Sequence, residues 1–190
     1  MKQHMFISIP RTGTNSVRKS LGIKKLGITN HRTARFLRDH VGAKRWESML
    51  VFSFVRNPYD RLVSYFRFCK TIWKNLSVNQ RAPYEGNFKQ WVARGCPSHF
   101  SKTGLETPIH MWNYLLDDDG QLLTDYVGKV ESFNKDFKTL CTKLGAKPKK
   151  LVHINNSLRI RNYRSYYDEG TRKLAEQICG KDAELFGYVF

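Results

Sequence analysis

Six consecutive positions, Arg11-Thr12-Gly13-Thr14-Asn15-Ser16, bring together one cation, one glycine and four short polar side chains. The apolar run Met5 to Ile9 before them reads as a buried strand, and Pro10 ends it because proline has no N–H for a ladder. A helical pattern begins with Val17 to Leu21. A strand, a polar turn and a helix N-terminus form an anion cradle, since backbone N–H groups and the helix dipole converge on one spot. The expected occupant is a phosphate or a group like it. The nucleoside-triphosphatase spacing G-x-x-x-x-G-K-[ST] is absent: no glycine stands five positions before Gly13, and Thr14-Asn15 follows it. For this segment alone, a plain strand-turn-helix with an exposed arginine is the competing reading.

A second stretch repeats the arrangement. Met49 to Val55 is another buried-strand run, followed by Arg56-Asn57-Pro58-Tyr59-Asp60-Arg61-Leu62-Val63-Ser64. Asn57 suits an N-cap and Pro58 the first helical position. Leu62, Phe66, Cys69 and Trp73 then fall on one helical face. Arg56 offers a planar fork for a phosphate or, alternatively, a partner for Asp60.

Both stretches resemble known motifs. Arg11 to Ser16 is similar to the 5′-phosphosulfate loop of sulfotransferases, with Arg11 where the family usually has lysine. Phe54 to Ser64 is similar to their 3′-phosphate motif. Asp125 to Phe133, Asp136-Phe137, Leu144-Gly145, Asn155-Asn156-Ser157, Tyr163, Tyr166-Tyr167-Asp168, Asp182 and Phe186-Gly187-Tyr188 follow the order seen in carbohydrate-type members. The resemblance covers most of the chain and thins between Lys70 and His110.

That resemblance implies a sulfuryl transfer from 3′-phosphoadenosine 5′-phosphosulfate (PAPS) to a hydroxyl, leaving 3′,5′-ADP and requiring no metal. Arg11 would meet charge on the 5′-phosphate and bridging oxygen, with Thr12, Gly13, Thr14, Asn15 and Ser16 as N–H and hydroxyl donors. Arg18 or Lys19 stands in if Arg11 points elsewhere. Arg56 and Ser64 would take the 3′-phosphate, with a plain helix position as the competing role for Ser64. Arg161 with Tyr163 would close over the nucleotide, the alternatives being nucleic-acid binding or closure of the domain. In the family a histidine between the two motifs often serves as base, and His31 occupies that interval. A positioned base is worth about 10²–10⁴ in rate. The competing role for His31 is to cap the helix that starts at Thr33. His40, His110 and His153 are weaker rivals.

The 190 residues suit one domain, 1–190, whose poorly matched segment from Lys70 to His110 would set the acceptor. Lys and Arg number 33 against 16 Asp and Glu, a net charge of +17 spread along the chain and not gathered in a tail. This favours a charged cleft for anionic ligands over a nucleic-acid arm, though a basic nucleic-acid-binding protein and a P-loop nucleotide kinase remain the rival functions. The expected acceptor is an anionic or neutral hydroxyl compound, a saccharide by resemblance. Four separated cysteines without a C-x-x-C pair read as reduced core thiols. With no signal peptide or apolar run of spanning length, the expectation is a cytoplasmic enzyme or a chain trimmed of an anchor.

The elements around the motifs alternate. A short strand is expected at Leu26 to Ile28. A helix capped by Thr33 and stopped by Gly42 should follow, with Phe36, Leu37 and Val41 apolar. Further helices are expected near Phe88 to Val92, from Thr107-Pro108 through Leu115, from Ser132 to Leu144, and from Asp168 to about Cys179. Strands are expected in Leu122 to Val130 and between Lys147 and Asn156. Asp117-Asp118-Asp119-Gly120 reads as a turn. The pattern is α/β with a parallel sheet, and the resemblance implies a P-loop-like three-layer sandwich with a central parallel sheet flanked by helices.

Overall fold

The computed structural model describes residues 2–24, 30–72, 77–98, 108–147, 150–152 and 162–190. Along the chain run β1 (His4–Ile7), α1 (Thr14–Leu21), α2 (Ala34–Val41), α3 (Ala43–Glu47), β2 (Leu50–Val55) and α4 (Pro58–Thr71). Then follow α5 (Val78–Arg81), α6 (Phe88–Ala93), α7 (Trp112–Leu115), β3 (Tyr126–Lys129), α8 (Phe133–Lys143) and α9 (Glu169–Phe186). The chain divides into two compact units, Met1–Arg56 with Met111–Asn156, and Asn57–His110 with Ser157–Phe190.

The first unit holds a parallel sheet in the order β1-β2-β3. Phe6 pairs with Phe52, and Phe52 in turn with Tyr126. The strands are apolar on both faces, as parallel strands covered from both sides must be. Phe6, Phe52 and Phe54 face Val17 and Leu21 of α1 and Phe133, Phe137, Leu140 and Cys141 of α8 in one buried cluster. Ile7, Val51 and Val55 alternate with them and are also buried. A parallel sheet flanked by helices is the α/β architecture the alternating pattern predicts.

Several local details differ from expectation for identifiable reasons. β3 is confined to Tyr126–Lys129, because Leu122 pairs instead with Leu116 in an antiparallel bridge. Ser132 is the N-cap residue of α8, but its side chain makes no capping bond. Its hydroxyl donates to Asp136 Oδ2 at 2.8 Å, and the same oxygen accepts the Lys129 N–H at 2.7 Å. α2 follows its predicted bounds, with the Thr33 hydroxyl accepting the Phe36 N–H at 3.2 Å, yet Phe36 is exposed and Leu37 carries the burial. The acidic turn folds on Asp117, whose Oδ1 accepts the N–H groups of Asp119 and Gln121. No group of metal-ligating side chains occurs among the described residues. The strand expected at Leu26 to Ile28, and Trp73, Thr107 and His153, lie outside the described residues. Residues 150–152 are described and form no strand.

In the second unit α4 begins as its sequence dictates. Asn57 Oδ1 accepts the N–H groups of Tyr59 and Asp60, and Pro58 opens the helix. Its buried face packs on Phe88, Trp91 and Val92 of α6 and Ala175 and Cys179 of α9. α9 is longer than predicted, passing Gly180 and ending at Gly187, whose φ of 62° is the left-handed cap geometry. Glycine inside a helix costs only about 1 kcal/mol, and burial of Cys179, Ala183 and Phe186 on both sides of Gly180 offsets it. All four cysteines are buried thiols and form no disulfide. No helix among the described residues is long and apolar enough to cross a membrane.

Candidate active site

Parallel strands deliver their C-terminal ends to one edge, where ligands of open α/β sheets bind. In the first unit that edge receives the loop after β1, Arg56 after β2, and His31. The loop turns sharply because two of its residues adopt left-handed backbone angles, Arg11 at φ 69° and Gly13 at φ 74°. Between them Thr12 is fully buried, and its hydroxyl donates to the Ile9 carbonyl at 3.0 Å. That bond closes the turn from inside. Gly13 then serves as N-cap of α1, which therefore starts at Thr14 rather than Val17. Thr14, Asn15 and Ser16 accordingly occupy the first helical turn, whose N–H groups intrahelical bonding does not use.

Glycine is required at position 13 for a second reason. A Cβ there would stand 2.6 Å from two carbons of the Phe133 ring. Phe133 opens α8 and packs edge-on against Phe54 of β2 at 5.0 Å. The loop thus rests on an aromatic floor supplied by a remote part of the chain.

Arg56 follows β2, and its Nη1 donates to the Arg11 carbonyl at 3.3 Å. Arg11 and Arg56, one from each motif, are therefore in contact. His31 is also tied to this edge: its Nδ1 lies 2.8 Å from the Ser8 carbonyl oxygen, and its N–H donates to Ser8 Oγ at 3.1 Å. The cap of α2 is Thr33 itself, so the helix-capping role considered for His31 belongs to its neighbour. Arg18 is buried and donates from Nη2 to Ser8 Oγ at 3.0 Å and from Nη1 to Asn30 Oδ1 at 3.2 Å. It is committed to this framework, and burial pulls its pKa below the usual guanidinium value.

The sequence model of the sulfotransferase family matches residues 8–189. This chain belongs to the sulfotransferase family. An uncharacterized protein of Archaeoglobus fulgidus is 28% identical over 126 residues, a stretch covering 65% of this sulfotransferase and 91% of that protein. No solved structure matches.

Of the other residues predicted for this sulfotransferase, Ser64, His110 and Tyr163 lie in the second unit. Ser64 is buried on α4. The Tyr163 hydroxyl accepts from Asn57 Nδ2 at 3.3 Å, and its ring stands edge-on to Phe190 at 5.8 Å. Arg161 lies outside the described residues. His110 is held below its ordinary pKa by burial, with Asp182 opposing and Arg61 adding to that shift. Sequence reasoning missed Ser8 and Asn30, and it considered Arg18 only as a stand-in for Arg11. The available signal was a serine inside the apolar run Phe6-Ile7-Ser8-Ile9, since a hydroxyl in a buried strand needs a polar partner.

Proposed function

We propose that this sulfotransferase moves the sulfuryl group of PAPS to a hydroxyl of an anionic or neutral saccharide, within one domain, 1–190, built as a P-loop-like three-layer sandwich. The observation that carries the reading is the contact between Arg56 and the carbonyl of Arg11, which joins the two anion motifs at the C-terminal edge of the sheet. Two separate anion sites suit a 3′,5′-bisphosphate nucleotide better than a linear triphosphate. The donor set supports the same ligand: an arginine on each motif, the first-turn N–H groups of α1 and a glycine turn are what a phosphate needs.

In this reading Arg11 meets the charge that grows on the 5′-phosphate side as the sulfur–oxygen bond to it breaks. The backbone and side chains of Thr12 to Ser16 hold that phosphate in line with the acceptor. Arg56 and Ser64, both within the continuous motif Phe54 to Ser64, take the 3′-phosphate, and Arg161 and Tyr163 close over the nucleotide. His31 receives the hydroxyl proton as the new sulfur–oxygen bond forms. Placement and electrostatics supply most of the acceleration, as in phosphoryl transfer. No metal is assigned a part. The segment from about Lys70 to His110 sets the choice of acceptor, and buried thiols suit a reducing cytoplasm.

A thermal-shift panel tests the donor, because ligand binding adds directly to stability. 3′,5′-ADP should raise the melting temperature well above ADP or ATP. Equal shifts with ADP would remove the 3′-phosphate site, and a larger shift with a short oligonucleotide would favour nucleic-acid binding. Transfer of labelled sulfate from PAPS to a panel of saccharides then tests the acceptor.

A further inference from the structure

We infer that Ser8 and Arg18 are positioning residues that hold His31 as the Nδ1–H tautomer, leaving Nε2 as the nitrogen that takes the acceptor proton. The inference rests on the proposed reading of His31 as the base. It deepens that reading by naming the atom and the device that aims it.

The tautomer follows from what a carbonyl can do. Nδ1 of His31 lies 2.8 Å from the Ser8 carbonyl oxygen, which accepts hydrogen bonds and has no hydrogen to donate. At that separation Nδ1 must carry the hydrogen. Neutral imidazole has one N–H, so the lone pair resides on Nε2. The opposite tautomer would set two lone pairs against each other. When Nε2 takes the proton, Nδ1–H keeps its carbonyl acceptor, so the bond that selects the tautomer also serves the imidazolium.

The imidazole stays there because its backbone is held as well. His31 adopts φ 58°, a left-handed conformation uncommon for a residue with a side chain. Such a geometry persists when its surroundings over-determine it. Here the His31 N–H donates to Ser8 Oγ at 3.1 Å, and Arg18 Nη2 donates to the same oxygen at 3.0 Å. Ser8 is fully buried just past the end of β1, and both lone pairs of its hydroxyl are used to bind the segment there. Arg18 Nη1 reaches Asn30 Oδ1, on the residue just before His31, at 3.2 Å.

One guanidinium therefore fastens the strand end and the His31 segment together from α1. An apolar side chain would fill the same space without the cost of burying a cation. Arg18 is only 7% exposed, and its Nε has no hydrogen-bond partner. What arginine contributes is two hydrogen bonds to two separate segments.

The test reads the imidazole directly. Long-range ¹H–¹⁵N correlation spectra of the ¹⁵N-histidine-labelled full chain, with His31 assigned through His31→Gln, should show a protonated Nδ1 and an unprotonated Nε2. A dominant Nε2–H form in the wild-type protein overturns the inference. Ser8→Ala removes one oxygen and keeps the carbonyl. It should average the two tautomers and lower kcat by about 10- to 100-fold, the cost of a misplaced group, with KM for PAPS unchanged. Arg18→Met should act in the same direction, and Ser8→Ala decides the matter if that variant does not fold. An inactive His31→Gln beside a Ser8→Ala enzyme with normal kcat and an unmoved tautomer overturns the positioning role alone. Normal turnover in His31→Gln overturns the base reading and this inference together.

Discussion

Arg56 Nη1 donates to the backbone carbonyl of Arg11 at 3.3 Å, so two arginines 45 positions apart in sequence meet at one edge of the sheet. The bond uses the backbone carbonyl of Arg11 and not its side chain, and in the proposed reading both guanidinium groups serve the nucleotide. Arg56→Ala should therefore weaken 3′,5′-ADP about 10- to 100-fold, the worth of a charge-assisted hydrogen bond, while ADP affinity changes little. Calorimetric titration of both nucleotides checks this. An equal loss for both would assign Arg56 to the loop's shape.

Arg11 is held at φ 69°, where glycine is at ease and an arginine is not. Arg11→Gly should leave stability equal or raise it by up to about 1 kcal/mol while turnover collapses. Arg11→Lys should keep part of the turnover. Chemical denaturation beside a PAPS assay separates the two effects. An active Arg11→Gly enzyme would remove the arginine from the chemistry.

Gly13→Ala should be among the costliest single-methyl changes in the first unit. The new Cβ meets the Phe133 ring at 2.6 Å and must also adopt φ 74°. Left-handed strain and overpacking together amount to about 2–4 kcal/mol. A urea unfolding curve with an unmoved midpoint would contradict it.

Thr33 and His31 should separate cleanly. Thr33→Ala removes the hydroxyl that accepts the Phe36 N–H and should cost about 1 kcal/mol of stability with little kinetic effect. His31→Ala should lower turnover about 10²- to 10⁴-fold and leave 3′,5′-ADP binding intact. The reverse pattern would return His31 to a purely structural part.

Stability should also depend on pH through His110. Burial holds its folded pKa below the ordinary value, Asp182 opposes the shift, and Arg61 adds to it. Between the folded value and the unfolded value of about 6.5, the unfolded chain binds the extra proton. The stability is therefore fully present above that unfolded value and is lost as pH falls through the window below it. His110→Gln should flatten this acid-side slope in denaturation curves recorded from neutral to mildly acidic pH. An unchanged slope would mean that another group carries it.

Much of this protein was legible from local chemistry. β2 with the start of α4 was readable because Asn57 and Pro58 act within a few residues of where they stand. The bounds of α2 followed from Thr33 with Gly42, and a short helix was expected near Phe88, where the structure starts α6 with an Asn87–Gln90 capping box. The two stretches that resemble the family's phosphate motifs were visible because that resemblance rests on particular residue types at short spacing. Signals failed where a competing partner lay far along the chain. Ser132 stands at the N-cap as expected, but Asp136 claimed the hydroxyl that would have made the capping bond. α9 ran past Gly180 because packing outweighed a local propensity.

The sequence by itself determined that the chain alternates strands and helices and carries two polar, arginine-bearing stretches after apolar strands, because those signals are short-range. Only the tertiary structure decided which atoms meet. The parallel pairing of β1 with β2 brings Arg56 to the carbonyl of Arg11, and Phe133 of α8 forms the floor under Gly13. In the sequence Arg18 was only a stand-in for Arg11. It became the fastening of His31 because α1 turns it inward onto Ser8 and Asn30, a consequence of packing that no local pattern encodes.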